Sequence, residues 1–478
     1  MNLHPNFRVV ALLTGAGLLG GCMVGPKYDK PPVTTPAAYK ETGDWKIAQP
    51  RDGINRGPWW EIFGDAQLNT LAQQVDVSNQ NVRVAEAKLR QAEALVEQSR
   101  AGFFPTLTGN TGATRSRTPS VSGASTASSA PANVYNLSLN ASWAPDLWGS
   151  VRSTVDVNVA NAQAGVANVA GVRLLAQSQL AINFFQLRVL DSQRRLLETT
   201  VAAYQKSLEL TRNRYNAGVA ARAEVVLAET QLRSTQAQLI DVGVQRAQFE
   251  HAIAILIGKP PADFLLEAAT LTVAIPSLPP GLPSELLERR PDIAAAERQM
   301  AAANAQIGVA QAAYFPSLTL SGVFGFRANS PPNWLTSPSR LWSVGPALAE
   351  TLFDGGSRRA VKKQAEAAYD ANVATYRQTV LNAFKEVEDN LSALRILEAE
   401  AKTQDEAVQS SKLSTELTLN QYKAGTVNYL SVVIVQATQL NNEATAVKLL
   451  GQRLVAAVTL VQALGGGWNG LSAGAAPR

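Results

Sequence analysis

Two stretches of the chain alternate apolar and polar residues with a period of two. Tyr135, Leu137, Leu139, Ala141 and Trp143 alternate with Asn136, Ser138, Asn140 and Ser142, and Leu318, Leu320, Gly322, Phe324 and Phe326 alternate with Thr319, Ser321, Val323, Gly325 and Arg327. That period marks strands with one apolar and one polar face, and their length matches the roughly nine to eleven residues of a tilted transmembrane strand. Strands are expected at about 103–118, 134–146, 315–328 and 341–353. A soluble hairpin covering a core would alternate in the same way. Against it, no other strand-like region exists to build that core, and the polar faces carry small residues suited to a wet lumen. On the membrane reading Tyr135, Leu137, Leu139, Leu320, Phe324 and Phe326 face lipid, and the Ser-, Pro-, Ala- and Asn-rich stretches 116–133 and 328–340 are outward loops.

The rest is helical. Two runs, Ser150 to Asn216 and Ser357 to Lys423, are rich in Ala, Gln, Leu and Val, and at about 1.5 Å per residue each reaches on the order of 100 Å. Leu175, Ile182, Phe185, Val189 and Leu196 keep a three-four spacing, as do Val373, Tyr376, Val380, Phe384, Val387, Leu391 and Leu394, the period of helices packed side by side. A plain bundle core needs one apolar stripe. The first run carries a second one in Val166, Val169, Leu180, Phe184 and Leu187, as suits a helix flanked on both sides in a tube. A shorter helical stretch precedes each strand pair, Asp65 to Ala101 and Pro283 to Ala313. At Gly218 and Gly425 the long helix must turn, and a returning helix runs to about Ile257 and Leu464, where Gly465-Gly466-Gly467 acts as a stop.

These elements occur twice, in the same order. Phe103-Phe104-Pro105-Thr106-Leu107-Thr108 returns as Tyr314-Phe315-Pro316-Ser317-Leu318-Thr319, Tyr215-Asn216-Ala217-Gly218 as Tyr422-Lys423-Ala424-Gly425, and Leu256-Ile257-Gly258 as Ala463-Leu464-Gly465. The chain therefore divides into repeats at 65–270 and 271–478, preceded by an extended segment at 22–64.

The N-terminus sets the compartment. Arg8 precedes an uncharged run from Val9 to Leu19, too short to span a bilayer as a helix, which marks 1–21 as a signal peptide. Leu19-Gly20-Gly21-Cys22 resembles the lipoprotein cleavage box, so Cys22, the only cysteine, is the expected site of lipidation by palmitate-type acyl chains. Met23 rather than Asp follows it, which favours the outer membrane. With one cysteine and only His4 and His251 as histidines, the mature chain assembles no His cluster, no Cys ligand set and no His-dependent triad. The acidic residues follow helical spacing without converging, and no phosphate-cradling loop is present. An enzyme, a metal site and a bound cofactor are therefore not expected. The net charge of +5 is dispersed and gives no basis for a nucleic-acid partner.

With these pieces together the chain resembles the outer membrane factors of tripartite efflux pumps, the TolC-like channels, and among them the NodT-type lipoprotein branch. The resemblance rests on Cys22-Met23-Val24-Gly25-Pro26-Lys27-Tyr28, on Asp146-Leu147-Trp148-Gly149 with its counterpart Leu352-Phe353-Asp354-Gly355-Gly356, and on Leu282-Pro283-Ser284-Glu285-Leu286-Leu287-Glu288-Arg289-Arg290-Pro291-Asp292-Ile293. It implies a mainly α protein with membrane β structure: a homotrimer whose four strands per chain form a twelve-stranded barrel, continued by a long α-helical barrel. Physics alone requires only that four strands not close by themselves, since single-chain barrels begin at about eight, and two copies would satisfy that count. The implied partners are outer-membrane lipid, a periplasmic adaptor (membrane fusion) protein and an inner-membrane efflux transporter, with drugs, small solutes or metal ions as cargo. A protein-export duct of the same fold and a pore-less coiled-coil lipoprotein are the alternatives. The strand pairs argue against the second. In the resembling family the turn after Tyr-x-Ala-Gly constricts the lumen, commonly through an aspartate in a Leu-Asp-Ala-Gln stretch. Here Ile434 stands at that place, four residues after Leu430 on one helix face, so an apolar periplasmic gate is one expectation and packing between helices the other. Glu224 is the nearest remaining carboxylate, with solvated helix surface as its expected role.

Overall fold

The computed structural model describes residues 23–42, 57–117, 131–271, 273, 275–276, 289–468 and 470–471. Cys22 and the signal segment, most of the first outward loop and residues 282–288 lie outside the described residues.

Helices α1 (Ala66–Ser78) and α2 (Gln80–Arg100) stand where the sequence predicts one helix. The break is at Asn79, whose backbone is extended (ψ 123°) and whose side chain caps α2 by accepting from the amides of Asn81 and Val82. The same side chain donates to the Leu256 carbonyl at 2.7 Å, and Ser78 Oγ donates to the Ile257 carbonyl at 2.8 Å. The end of a returning helix is docked at the break. Gly258 there has φ +70° and lies so close that a Cβ would meet the Ser78 oxygen at 2.3 Å.

Strands β1 (Thr106–Ser116), β2 (Ala132–Trp143), β3 (Ser317–Ala328) and β4 (Arg340–Ala349) form one antiparallel sheet in sequence order. β1 starts later than the sequence predicts, because Ala101–Phe103 closes a 3-10 turn and Pro105 follows it, and β4 ends earlier, at Ala349. The register places Leu139 opposite Phe324, Leu137 opposite Phe326 and Trp143 opposite Leu320. It also sets Phe324 opposite Trp342 and Leu320 opposite Pro346. The apolar positions of the three strands therefore share one face. Gly325, on the other face, lies so near β2 that a Cβ would meet the Leu137 carbonyl oxygen at 2.2 Å.

A sharp turn carries each strand pair into a long helix. α3 (Ser150–Asn216) follows β2 and α6 (Ser357–Ala424) follows β4. Asp146 accepts from the amides of Val151 and Arg152, each at 3.0 Å, and pairs with the Arg152 guanidinium. Asp354 repeats the device with the amides of Gly356 and Arg358 and an ion pair to Arg358 at 2.7 Å. The Arg358 guanidinium holds the Asp354 carboxyl below its ordinary range. Carboxylates at the first helical turn also complement the helix dipole.

The returning helices are α4 (Arg222–Leu256) and α7 (Tyr429–Ala463), and α5 (Pro291–Ala312) leads into β3. α3 packs against α2, α4, α5 and α7, and α6 against α5 and α7. Of the expected stripe on α6, Tyr376, Val380, Phe384, Val387, Leu391 and Leu394 are buried and Val373 is half-buried against the core. The two stripes on α3 are uneven. Phe185, Val189, Leu180, Phe184 and Leu187 are buried, but Leu175 is exposed and Val166 and Val169 are half-buried, with Ala160, Ala164 and Ala167 taking the buried positions. Close approach explains it, since a Cβ on Gly165 would lie 3.2 Å from Leu89. α7 is long and apolar enough to cross a membrane, yet Leu454, Val458, Leu460 and Val461 are buried in the main core, so its apolarity is that of a core helix.

The segment before α1 lies along these helices as a strap. The Val24 amide donates to the Trp148 carbonyl and Asn304 to the Pro26 carbonyl. Further on, the Tyr28 hydroxyl donates to Glu297 at 2.7 Å, and the amides of Lys40 and Glu41 donate to Glu388. Trp59, Trp60 and Phe63 then plug the core, with Phe63 5.1 Å from the Phe185 ring and Trp59 Nε1 on Gln177 at 3.1 Å.

Candidate functional site

Two regions carry chemistry that the fold does not consume: the apolar face of the sheet and the turns at the far ends of the long helices. On the sheet, Tyr135, Leu137 and Leu139 of β2 and Leu320, Phe324 and Phe326 of β3 share a face, extended by Leu107 on β1 and by Trp342, Val344 and Leu348 on β4. Leu107, Leu139, Phe324, Trp342, Val344 and Leu348 are all exposed. The opposite face holds Thr108, Asn110, Asn136, Ser138, Asn140, Ser321 and Ser343. β1 and β4 are edges with no partner within the described residues. Burying such a face in water would need a second layer, and no such layer covers it among the described residues.

At the other end Gly218 (φ +75°) and Gly425 (φ +80°) close the turns between long and returning helices. Gly425 N donates to the Tyr422 carbonyl and Thr426 N to the Gln421 carbonyl, as Gly218 N and Val219 N do to Tyr215 and Arg214. The two turns lie together. Tyr204, Leu208, Ala228, Leu232, Tyr422, Tyr429 and Val432 form one buried cluster drawn from α3, α4, α6 and α7. Tyr422 and Tyr429 meet edge to face at 5.4 Å, and the Arg214 guanidinium covers the Tyr422 ring at 4.6 Å while donating to its carbonyl at 2.6 Å.

The repeat is asymmetric here, because Tyr422 is buried while its counterpart Tyr215 is exposed. The Tyr422 hydroxyl donates to Glu224 at 3.1 Å. Burial and the Glu224 carboxylate push that hydroxyl above its ordinary value, so it stays protonated. Glu224 is thus half-buried and hydrogen-bonded rather than a solvated surface carboxylate. Leu430 and Ile434 stand outside the cluster, 52% and 56% exposed on one face of α7. Tyr-x-Ala-Gly marks the turns in the sequence, but nothing in that motif singles out Tyr422, Tyr429 and Arg214 as the centre of the cluster. Their signal was two tyrosines flanking a glycine turn. His251 is exposed on α4, and no group of three His, Cys, Asp or Glu side chains able to hold a metal ion is gathered among the described residues.

The model of the outer membrane efflux protein family matches residues 71–259 and 282–466, one match for each copy of the internal repeat. The chain belongs to the outer membrane efflux protein family. It is 32% identical over 474 residues to outer membrane protein OprJ of Pseudomonas aeruginosa, covering 97% of both chains. It is 30% identical over 469 residues to the pyoverdine export outer membrane protein OpmQ of the same species, covering 97% of this chain and 98% of that one. Among solved structures, the outer-membrane channel OprN aligns with a TM-score of 0.88 at 31% identity, covering 94% of this chain and all of that one. The channel CusC aligns with a TM-score of 0.83 at 26% identity, covering 93% and 99%. As a member of this efflux family, the chain is an outer-membrane component of an efflux pump, and its relatives are channels rather than enzymes.

Proposed function

We propose that three copies of this chain close into a passive duct, anchored in the outer membrane by both a β-barrel and lipid on Cys22. The duct receives small organic solutes from an inner-membrane transporter through a periplasmic adaptor. The carrying observation is the four-stranded sheet with an uncovered apolar face and two open edges, which only further copies and lipid satisfy together. On the helices, α6 leaves Leu381, Ile396, Leu413 and Leu417 exposed, and α4 leaves Ile240 and Val244 exposed, as expected of surfaces that adjoin neighbouring copies. The pyoverdine exporter OpmQ and the toluene pump component TtgI among the relatives support small organic cargo. Selection falls to the transporter, because the polar face of the sheet offers mostly small uncharged side chains, with Arg327, opposite Asn136, its one charge among the described residues, and little means of recognition.

Lipidation of Cys22 is supported by Met23, which packs against Gly149 at the strand-to-helix passage. Met23 therefore stands at the end of the long helix nearest the strands. Leu430 and Ile434, exposed beside the turns, form the apolar periplasmic gate in this reading.

The test is reconstitution of the mature chain into planar bilayers, together with complementation of cells lacking it. Discrete conductance steps and restored resistance to organic solutes are expected. A protein that inserts without conducting would sink the reading.

A further inference from the structure

The first two turns of α6 carry Arg358, Arg359, Lys362 and Lys363, immediately after the passage from β4. The first copy has nothing comparable: Val151, Arg152, Val155 and Asp156 occupy the matching turns of α3. Two of the four cations are engaged, Arg358 by Asp354 at 2.7 Å and Lys362 by Glu366 at 3.6 Å. Arg359 and Lys363 are exposed. Together with Tyr314, Phe315 and Glu366 they line an open cleft of about 470 Å³ between the end of α5 and the start of α6. The aromatic wall is fixed, because Trp148 stacks on Phe315 at 4.8 Å and the Arg358 guanidinium lies over Tyr314 at 5.6 Å.

We propose that this cleft binds the phosphate headgroup of an anionic glycerophospholipid of the inner leaflet, with Arg359 and Lys363 on the phosphate and Tyr314 and Phe315 against the glycerol and upper acyl region. The inference rests on the reading that the sheet spans the membrane. In that frame the cleft lies one helical turn below the strands, where basic and aromatic side chains meet headgroups. The single Glu366 is already paired with Lys362, so the cleft keeps a net positive balance. An anionic lipid complements that charge where a zwitterionic one does not.

The test uses the full-length protein in nanodiscs of phosphatidylglycerol mixed with phosphatidylcholine, with retained lipids read by native mass spectrometry. The parent should retain phosphatidylglycerol over phosphatidylcholine by roughly tenfold, two cations near the surface each contributing several-fold. Arg359→Gln with Lys363→Gln should bring that ratio near parity. Lys385→Gln with Lys402→Gln, an equal charge change far along the same helix, should leave it intact. Equal retention of the two lipids by the parent, or equal loss in the two double variants, overturns the proposal. So does displacement of the retained lipid by millimolar inorganic phosphate, which would assign the cleft to free phosphate. Nanodisc insertion of every variant is checked first, since failure of the parent to insert would sink the membrane reading and not the cleft alone.

Discussion

The hydroxyl of buried Tyr422 donates to the carboxylate of Glu224 across 3.1 Å, joining the end of the second copy's long helix to the first turn of the first copy's returning helix. Tyr422→Phe keeps the ring packing on Tyr429 and removes this bond together with the longer contact to Thr211 Oγ1 at 3.4 Å. A hydrogen bond to a charged acceptor in a half-buried place is worth about 1 to 2 kcal/mol, so the variant should unfold at lower temperature and be cleaved faster by protease near Gly425. Glu224→Gln, which retains an acceptor, should show a smaller loss. A Tyr422→Phe protein with parental melting and cleavage would mean that the bond contributes nothing to the turns.

Much of the fold was legible because its periods are long. α3 begins at Ser150 and ends at Asn216 as the pattern requires, and the apolar positions of β2 and β3 share a face because alternation fixes the facing once the strands pair. What the pattern missed depends on contacts from far along the chain. The helix break at Asn79 is fixed by the end of α4 docking there, and its one local sign is Asn79 itself, an N-cap residue type to which the apolar periodicity is blind. Spacing alone places Leu175 in a buried stripe, yet the close approach of α2 and α5 to α3 puts alanines in the seam and leaves Leu175 exposed. At the turns the exposed Leu430 and Ile434 were legible as apolar residues on one face, while the burial of Tyr422 against a repeat-breaking exposed Tyr215 was not.

Leu139 and Ser138 are neighbours on opposite faces of β2. Arginine at Leu139 should cost about 2 to 4 kcal/mol near the bilayer midplane, lowering the amount of heat-stable oligomer in outer-membrane fractions. Arginine at Ser138 should be tolerated on the wet face. Equal yields from Leu139→Arg and Ser138→Arg would mean that the apolar face does not meet lipid.

The gate assignment is tested by replacing Leu430 and Ile434 together with serine. Both side chains are more than half exposed in the single chain, so their loss leaves the core intact. The double variant should insert at parental levels, conduct more in the closed state and sensitise cells to bulky antibiotics. Parental conductance from a normally inserted Leu430→Ser, Ile434→Ser protein removes the gate from these residues.

Cys22→Ser should prevent acylation while leaving the strap in place, because Tyr28, Lys40 and Glu41 hold it through Glu297 and Glu388. Mass spectrometry of the parent should find the mature N-terminus at Cys22 with attached acyl chains. Recovery of an unmodified Cys22 from the outer membrane would remove the anchor from the account.

The repeat also predicts how one copy should meet the next. Thr106 corresponds to Ser317 in the sequence repeat, and their strand partners Ser142 and Ala349 correspond in turn. Within the chain β2 pairs with β3, so β4 should pair with β1 of the next copy in the matching register. Carrying Leu139 opposite Phe324 through the repeat puts Pro346 opposite Ala113 of the next copy, and carrying Ala141 opposite Gly322 puts Leu348 opposite Thr111. Continuing past the ladder, Leu352 comes opposite Leu107, which accounts for two apolar side chains left 90% and 69% exposed in the single chain. Opposed residues lie about 5 Å apart, within the reach of a disulfide, whereas a slip of two residues moves them about 7 Å along the strand and beyond it. Pro346→Cys combined with Ala113→Cys should therefore yield covalent species up to three copies on non-reducing gels of oxidised membranes, and each single variant should not. Moving the second cysteine to Thr111 or Arg115 should abolish the cross-link. A stronger cross-link from either shifted pair would show that the copies meet in a different register, and ladders stopping at two copies would show that two, not three, close the barrel.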